Sequence, residues 1–245
     1  MSRIVYKKAY GLFKDKFLKF KSMIKNSILI AFVFILFSLV LNGQNLKHAD
    51  AKTEWILANF LREKSSGAKI KGNPKLINSP YGQAISFDGN DDAIFLNKMP
   101  LKSVREFTIE MIFKPETNAP FEQRVLHIGE NKSDRILLEI RAVNSNWYLD
   151  GFACSKKNKK ALANEKLIHP LGKWYHVAFV VTAKSLTTYV NGKKELEESF
   201  SFLPIQSGKT SIGVRLNKVS WFKGSIYKIR ITPKQIDAKD FISFQ

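Results

Sequence analysis

Residues 107–113, Phe107-Thr-Ile-Glu-Met-Ile-Phe113, alternate with a period of two. In a strand that period sends Phe107, Ile109, Met111 and Phe113 to one face, and Thr108, Glu110 and Ile112 to the other. Further strand candidates lie at 84–87, 92–96, 124–128, 135–141, 147–151, 174–182, 186–191, 210–215 and 225–231. Turn residues bound them: Asp88-Gly89-Asn90, Lys114-Pro115, Gly129, Asn144-Ser145-Asn146, Ala183-Lys184-Ser185, Asn191-Gly192 and Ser207-Gly208. Asn191-Gly192 is the strongest hairpin signal, because both residues tolerate positive φ. Short strands with close turns predict an all-β antiparallel sandwich. No helical pattern alternates with them, which argues against a parallel α/β sheet.

The amino-terminal stretch obeys other rules. Residues 28–41 form a 14-residue apolar run in which Ser38 alone is polar. A membrane span needs about 20 such residues, so the run fits the apolar region of a signal peptide better. Arg3 and seven lysines precede it against Asp15 alone, and Gly43 follows as a small residue suited to cleavage before Gln44. Met23 offers an alternative start that gives a leader of ordinary length. The rival reading is an uncleaved anchor, the only route by which the membrane would be a partner. Both readings place residues 44–245 outside the cytoplasm, secreted, periplasmic or at the cell surface. No cysteine follows the apolar run, which argues against a lipoprotein.

Charge and cysteine content narrow the class. The chain carries 40 Lys and Arg against 21 Asp and Glu. Without residues 1–43 it keeps 32 against 20, so the surplus does not belong to the leader. Such a surplus points to an anionic partner and says nothing of fold. The single cysteine, Cys154, excludes a disulfide scaffold and a cysteine-rich zinc site, and is read as an inert thiol. Residues 44–79 read as an extension packing on the sandwich, with Ala51–Leu61 a short helix capped by Asp50 or a strand around Trp55–Phe60. Residues 80–245 then form the main domain.

Several ordered segments resemble a known family. Gly82-Gln-Ala-Ile-Ser-Phe-Asp-Gly-Asn-Asp-Asp-Ala-Ile94 looks like the opening of a laminin-G-like, concanavalin A-like jelly roll. Phe107-Thr-Ile-Glu110 is similar to its next core strand. Trp174-Tyr-His-Val-Ala178, followed by Tyr189-Val-Asn-Gly192, is the most specific part. Ser211-Ile-Gly213, Phe222-Lys-Gly-Ser-Ile226 and Ile229-Arg-Ile231 resemble the closing strands. The resemblance spans about residues 80–243 and implies a two-sheet jelly roll, often with a binding face or rim. Many relatives carry an acidic residue after the closing Gly-x-Ile; here Tyr227 stands there, which removes one ligand of any calcium site using it.

Catalytic patterns are sparse. Glycosidases pair two carboxylates about 5–5.5 Å or about 6.5–9.5 Å apart. The nearest candidates, Glu110 and Glu139, lie on different strands, and Arg141 shares the face of Glu139 as an ion-pair partner. His48, His127, His169 and His176 show no ligand spacing, and His176 reads as a hydrogen-bonded core histidine. Asp88, Asp91 and Asp92 concentrate carboxylate oxygens that suit a structural calcium ion, or else an Asx-type turn. No other cofactor is expected. Ser207-Gly-Lys-Thr-Ser211 lacks the first glycine of a P-loop and leads into a strand, so it is set aside.

The expected function is a secreted or cell-surface, non-catalytic carbohydrate-binding module for polysaccharide or glycoconjugate, with no nucleic acid partner. A ring stacked on a sugar beside Arg and Asn donors would supply the chemistry. The candidates are Arg124, Arg141, Trp147, Arg215, Asn217 and Trp221. Lys156, Lys157, Lys159 and Lys160, read as one loop, point to an anionic polysaccharide. The alternatives are a protein-binding adhesion or scaffold module, and a glycoside hydrolase or lyase with scattered acid and base.

Overall fold

The computed structural model of the protein describes residues 52–63 and 67–244. The leader, the apolar run, the Gly43–Gln44 junction and Asp50 lie outside the described residues. No helix among the described residues is long and apolar enough to cross a membrane.

Among the described residues sixteen strands follow in chain order: β1 Thr53–Ile56, β2 Ala68–Lys71, β3 Lys75–Ser79, β4 Gly82–Asp88, β5 Ala93–Leu96, β6 Phe107–Pro115, β7 Glu122–Gly129 and β8 Arg135–Val143. They continue with β9 Asn146–Ser155, β10 Asn158–Ala163, β11 His169–Pro170, β12 Tyr175–Val181, β13 Ser185–Val190, β14 Lys193–Ser199, β15 Lys209–Ile212 and β16 Lys223–Thr232. One short helix, α1 (Asn59–Arg62), follows β1. The first sheet runs β14-β13-β12-β6-β16-β4-β3, with β1 also beside β16. The second runs β10-β9-β8-β7-β15-β5-β2, with β11 beside β9. The pairings within both are antiparallel, as the alternation predicts.

The inner faces meet as the period requires. Phe107, Ile109, Met111 and Phe113 of β6 are buried in one apolar core with Ile136, Leu138 and Ile140 of β8. Phe113 of the first sheet meets the Trp147 ring of the second edge-on, with centroids 5.2 Å apart. This contact joins the layers by the geometry aromatic pairs prefer. At Asn191-Gly192, φ values of 50° and 75° close the β13–β14 hairpin as the sequence predicts.

Three local readings change. Residues 52–62 form a strand and then a helix, because the edge of β16 recruits Thr53–Ile56 by pairing with Lys228–Ile231. Residues 53–79 supply β1, β2 and β3, each paired inside a sheet, so a boundary at 79 does not set them apart from the sandwich. The strand expected over 210–215 stops at Ile212. Gly213 has φ of +85°, and a Cβ there would stand 2.7 Å from the Phe87 ring, so the chain turns away into a loop.

Candidate functional site

The outer face of the second sheet collects the polar residues that alternate with the core. Pairing of β7, β8 and β9 sets Arg124 beside Glu139, and Glu139 beside Asp150. Arg124 Nε stands 2.8 Å from Glu139 Oε1 and also pairs with Glu122. Arg141 Nη2 reaches Glu139 at 3.0 Å, Asp150 at 2.7 Å and Glu122 at 3.5 Å. Burial raises the carboxyls of Glu139 and Asp150, against the attraction of Arg124 and Arg141. Arg124 and Arg141 are thus held in a carboxylate network, and their guanidinium groups are already engaged.

Next to this network lies His127, fully buried, with its ring nitrogen 3.0 Å from the Glu130 carbonyl oxygen. Burial, reinforced by the charges of Arg215, Arg135 and Arg124, pushes its imidazole down to about 4. Arg215 donates from Nη2 to the Asn131 carbonyl at 3.1 Å. Burial and the nearby Arg135 and Arg124 make Arg215 harder to protonate than usual. Arg215 opens the loop that carries the remaining candidates, Asn217 and Trp221.

That loop walls a cavity of about 630 Å³ over β2, β5 and β15. Antiparallel register places Lys69 opposite Phe95, and Phe95 opposite Ser211. Phe95 lines the cavity together with Lys69, Lys71, Lys209, Leu216 and Lys218. Among the described residues, no Asp or Glu lines it. Lys71 also sits 5.4 Å from the Trp221 ring centre and 3.4 Å from Asp91. Asn217 is exposed between two lining residues, Leu216 and Lys218. Asn217 and Trp221 thus neighbour lining residues without lining the cavity themselves, and Arg124 and Arg141 stay in the carboxylate network. Phe95 and the four lysines carry no local motif. The alternation in Ala68-Lys-Ile-Lys71, which sends two lysines to one face, is the one signal that points to them.

Trp147 requires correction. Its ring is fully buried between Phe113, Tyr175 and His169, with the latter two centroids each 5.0 Å away. The residue follows the Asn144–Asn146 turn at the parity of Leu149 and Ala153, which faces the core. It offers no open face on which a sugar could stack. The lysine run is not one loop either. Lys156 and Lys157 form a tight turn with φ of 43° and 76°, while Lys159 and Lys160 belong to β10. Lys160 is paired with Glu198 at 3.1 Å.

Glu110 and Glu139 stand on opposite outsides of the sandwich, so they do not form an acid–base pair. Glu110 is fully buried on the first sheet. Its oxygens accept from Arg230 and from the Ile242 amide, and His176 Nε2 lies 3.1 Å away. His176 is buried and hydrogen-bonded, as expected, but beneath the carboxyl-terminal segment rather than between the sheets. Cys154 is buried and unpaired.

Asp88, Asp91 and Asp92 each offer an oxygen within 4.8 Å of the others. Asp88 Oδ1 accepts from the amides of Asn90, Asp91 and Asp92 at 2.8–3.2 Å. Asp92 accepts from the amides of Asn73 and Asp88 at 2.6 and 3.1 Å. These carboxylates hold the β4–β5 turn and tie it to the start of β3. The distances suit a hard cation, but Asp88 Oδ1 and both oxygens of Asp92 are already occupied by amides.

Solved structures share this architecture. The fourth domain of AbnA, a GH43 extracellular arabinanase from Geobacillus stearothermophilus solved with arabinotriose, gives a TM-score of 0.55 at 17% identity. The match covers 70% of this chain and 84% of that one. The binding domain of botulinum neurotoxin serotype D gives 0.53 at 18% identity, over 72% of this chain and 46% of the other. A heptameric SAP-like pentraxin from Limulus polyphemus gives 0.51 at 17% identity, over 63% and 77%. The chain spans less than half of the toxin structure, and at these identities the likeness is one of fold. A search of curated protein sequences gave no match. Residues 88–240, more than half of the chain, match the family described as the concanavalin A-like lectin/glucanases superfamily, and the protein belongs to that superfamily.

Proposed function

We propose that this protein is a secreted or cell-surface, non-catalytic carbohydrate-binding module whose ligand occupies the cavity over β2, β5 and β15. The observation that carries the reading is the cavity itself. Its volume of about 630 Å³ lies in the usual range for small-ligand sites, about 300–1,000 Å³. Phe95 gives it an apolar wall on which the C–H face of a sugar can rest, and lysine ammonium groups and Asn97 border it with donors. A bound arabinotriose on the arabinanase domain shows that a related fold can hold an oligosaccharide.

A non-catalytic role fits the state of the carboxylates. Glu139 and Asp150 are each held by Arg141, and Glu110 lies under the carboxyl-terminal segment. A general acid must reach the glycosidic oxygen within hydrogen-bond distance. These groups are 0–4% exposed and offer little surface to a substrate.

A glycan array on the full chain, run with the wild type and with Phe95→Ala, tests the reading. The expected result is binding to a defined set of glycans that drops sharply in the variant while the melting temperature changes little. Binding that survives the substitution and survives Lys209→Gln would place the ligand elsewhere.

A further inference from the structure

We infer that the cavity over β2, β5 and β15 selects glycans bearing carboxylate or sulfate groups, with Lys69, Lys209 and Lys218 as the selecting residues. The inference rests on the glycan-binding reading and adds the ligand's charge to it. Four lysines from three separate chain segments, 69–71, 209 and 218, line one hollow. Among the described residues no carboxylate lines it, and Lys69, Lys209 and Lys218 have no ion-pair partner within 4.0 Å. Lys71 alone is engaged, at 3.4 Å from Asp91 and 5.4 Å from the Trp221 ring.

Like charges gathered in a concave site repel one another and focus a positive potential into the hollow. An anionic group relieves that repulsion, whereas a neutral sugar leaves it in place. Lysine suits this task, because its ammonium on a flexible stem can follow an anion whose position varies between ligands. The arginines on the same face do not compete for the ligand: Arg124 and Arg141 already bind Glu122, Glu139 and Asp150. The lysines converge on one hollow with an aromatic wall, whereas a single-stranded nucleic acid is usually bound along a basic groove with several stacking rings. The observations therefore favour an acidic saccharide over a polynucleotide.

The test is isothermal titration of the full chain with polygalacturonate, dextran sulfate, neutral dextran of matched length, and single-stranded DNA. The variants are Lys69→Gln/Lys209→Gln in the cavity and, as a charge-matched control, Lys184→Gln in the β12–β13 turn with Lys193→Gln at the start of β14. Both control positions are exposed and neither lines the cavity. The expected result is saturable binding of at least one acidic glycan. It should weaken about tenfold for each cavity lysine removed and less than about threefold in the control. Unchanged melting temperatures identify the loss as local.

Equal affinity for neutral dextran, lost in a Phe95→Ala variant, would overturn the charge selection and leave the glycan-binding reading standing. Acidic-glycan binding that falls equally in both double variants would overturn the assignment to these lysines, because net charge alone would then account for it. Tighter binding of DNA than of either acidic glycan would overturn the inference in favour of a polynucleotide. No binding of any saccharide, here or on the array, would remove both the reading and the inference.

Discussion

The Ile242 amide donates to Glu110 Oε1 at 2.6 Å, fastening the carboxyl-terminal segment to the middle of β6. Arg230 of β16 holds the second oxygen of the same carboxylate, and its guanidinium also reaches the Asp240 carbonyl at 3.0 Å. Thr108 extends the seam by donating to the Lys234 carbonyl and accepting from the Ile236 amide. Phe241 packs on His176 and Tyr189, and Phe244 on Tyr81. The segment after β16 therefore covers the outer face of the first sheet.

Glu110→Ala should lower unfolding stability by about 3 kcal/mol, since it leaves Arg230 without its partner in a largely buried setting. Burial pulls the Glu110 carboxyl up, but the bonds from His176, Arg230 and the Ile242 amide outweigh it and hold it below 4.5. Its contribution is therefore present above the unfolded value near 4.5 and is lost as pH falls through the lower folded value. Urea titrations at several pH values check both statements. A midpoint unchanged by the substitution would contradict them.

His127 has the opposite charge logic. Its folded value near 4 lies below 6.5, so the folded state resists a proton that the unfolded chain accepts. Its contribution is full above pH 6.5 and falls as pH drops from 6.5 to about 4, by about 3 kcal/mol in all. His127→Gln should flatten that part of the stability curve. A His127 ring signal, assigned by its loss in His127→Gln, that titrates near 6.5 in the folded protein would count against the burial argument.

Trp147→Phe should separate packing from binding. The substitution keeps an aromatic core residue and removes part of a fully buried ring, so stability should fall by about 1–3 kcal/mol. Glycan affinity should stay within about twofold, because the ring has no face on the cavity. Loss of affinity with unchanged stability would contradict the core assignment.

Gly213→Ala forces a Cβ toward the Phe87 ring at a φ of +85°. The expected cost is about 1–3 kcal/mol, with a shift of the loop that carries Leu216 and Lys218. Both stability and glycan affinity should fall together. Affinity that is retained while stability drops would show that the loop does not shape the site.

The architecture was legible because one face of each strand is committed to the core. In Phe107–Phe113 the alternation alone assigned inside and outside, and Asn191-Gly192 announced its own turn. Trp147 was misplaced because its own strand, read alone, does not say which parity faces inward; the pairing of Ala142 with Trp147 across β8 and β9 does. The cavity was hidden for another reason. Lys69, Phe95, Lys209 and Lys218 lie far apart in the chain and meet only through the pairing of β2 with β5 and of β5 with β15. Asn217 and Trp221 are readable locally as a loop with an amide and an aromatic, but the lining residues Leu216 and Lys218 beside Asn217 carry no such signal. The Glu139–Arg141 pair is legible on one strand, whereas the pairing of Arg124 with Glu139 and of Arg141 with Asp150 needs the register of β7, β8 and β9.

The central claim is that saccharide binds in the hollow over β2, β5 and β15. A titration of the isotopically labelled full chain with an oligogalacturonate, followed by amide resonances, tests it most directly. The predicted result is saturable shifts concentrated at residues 69–71, 95–97, 209–210 and 216–218, with little change along β12, β13 and β14. Saturable shifts confined to the first sheet or to the Asp88–Asp92 turn, or no saturable shift at all, would contradict it.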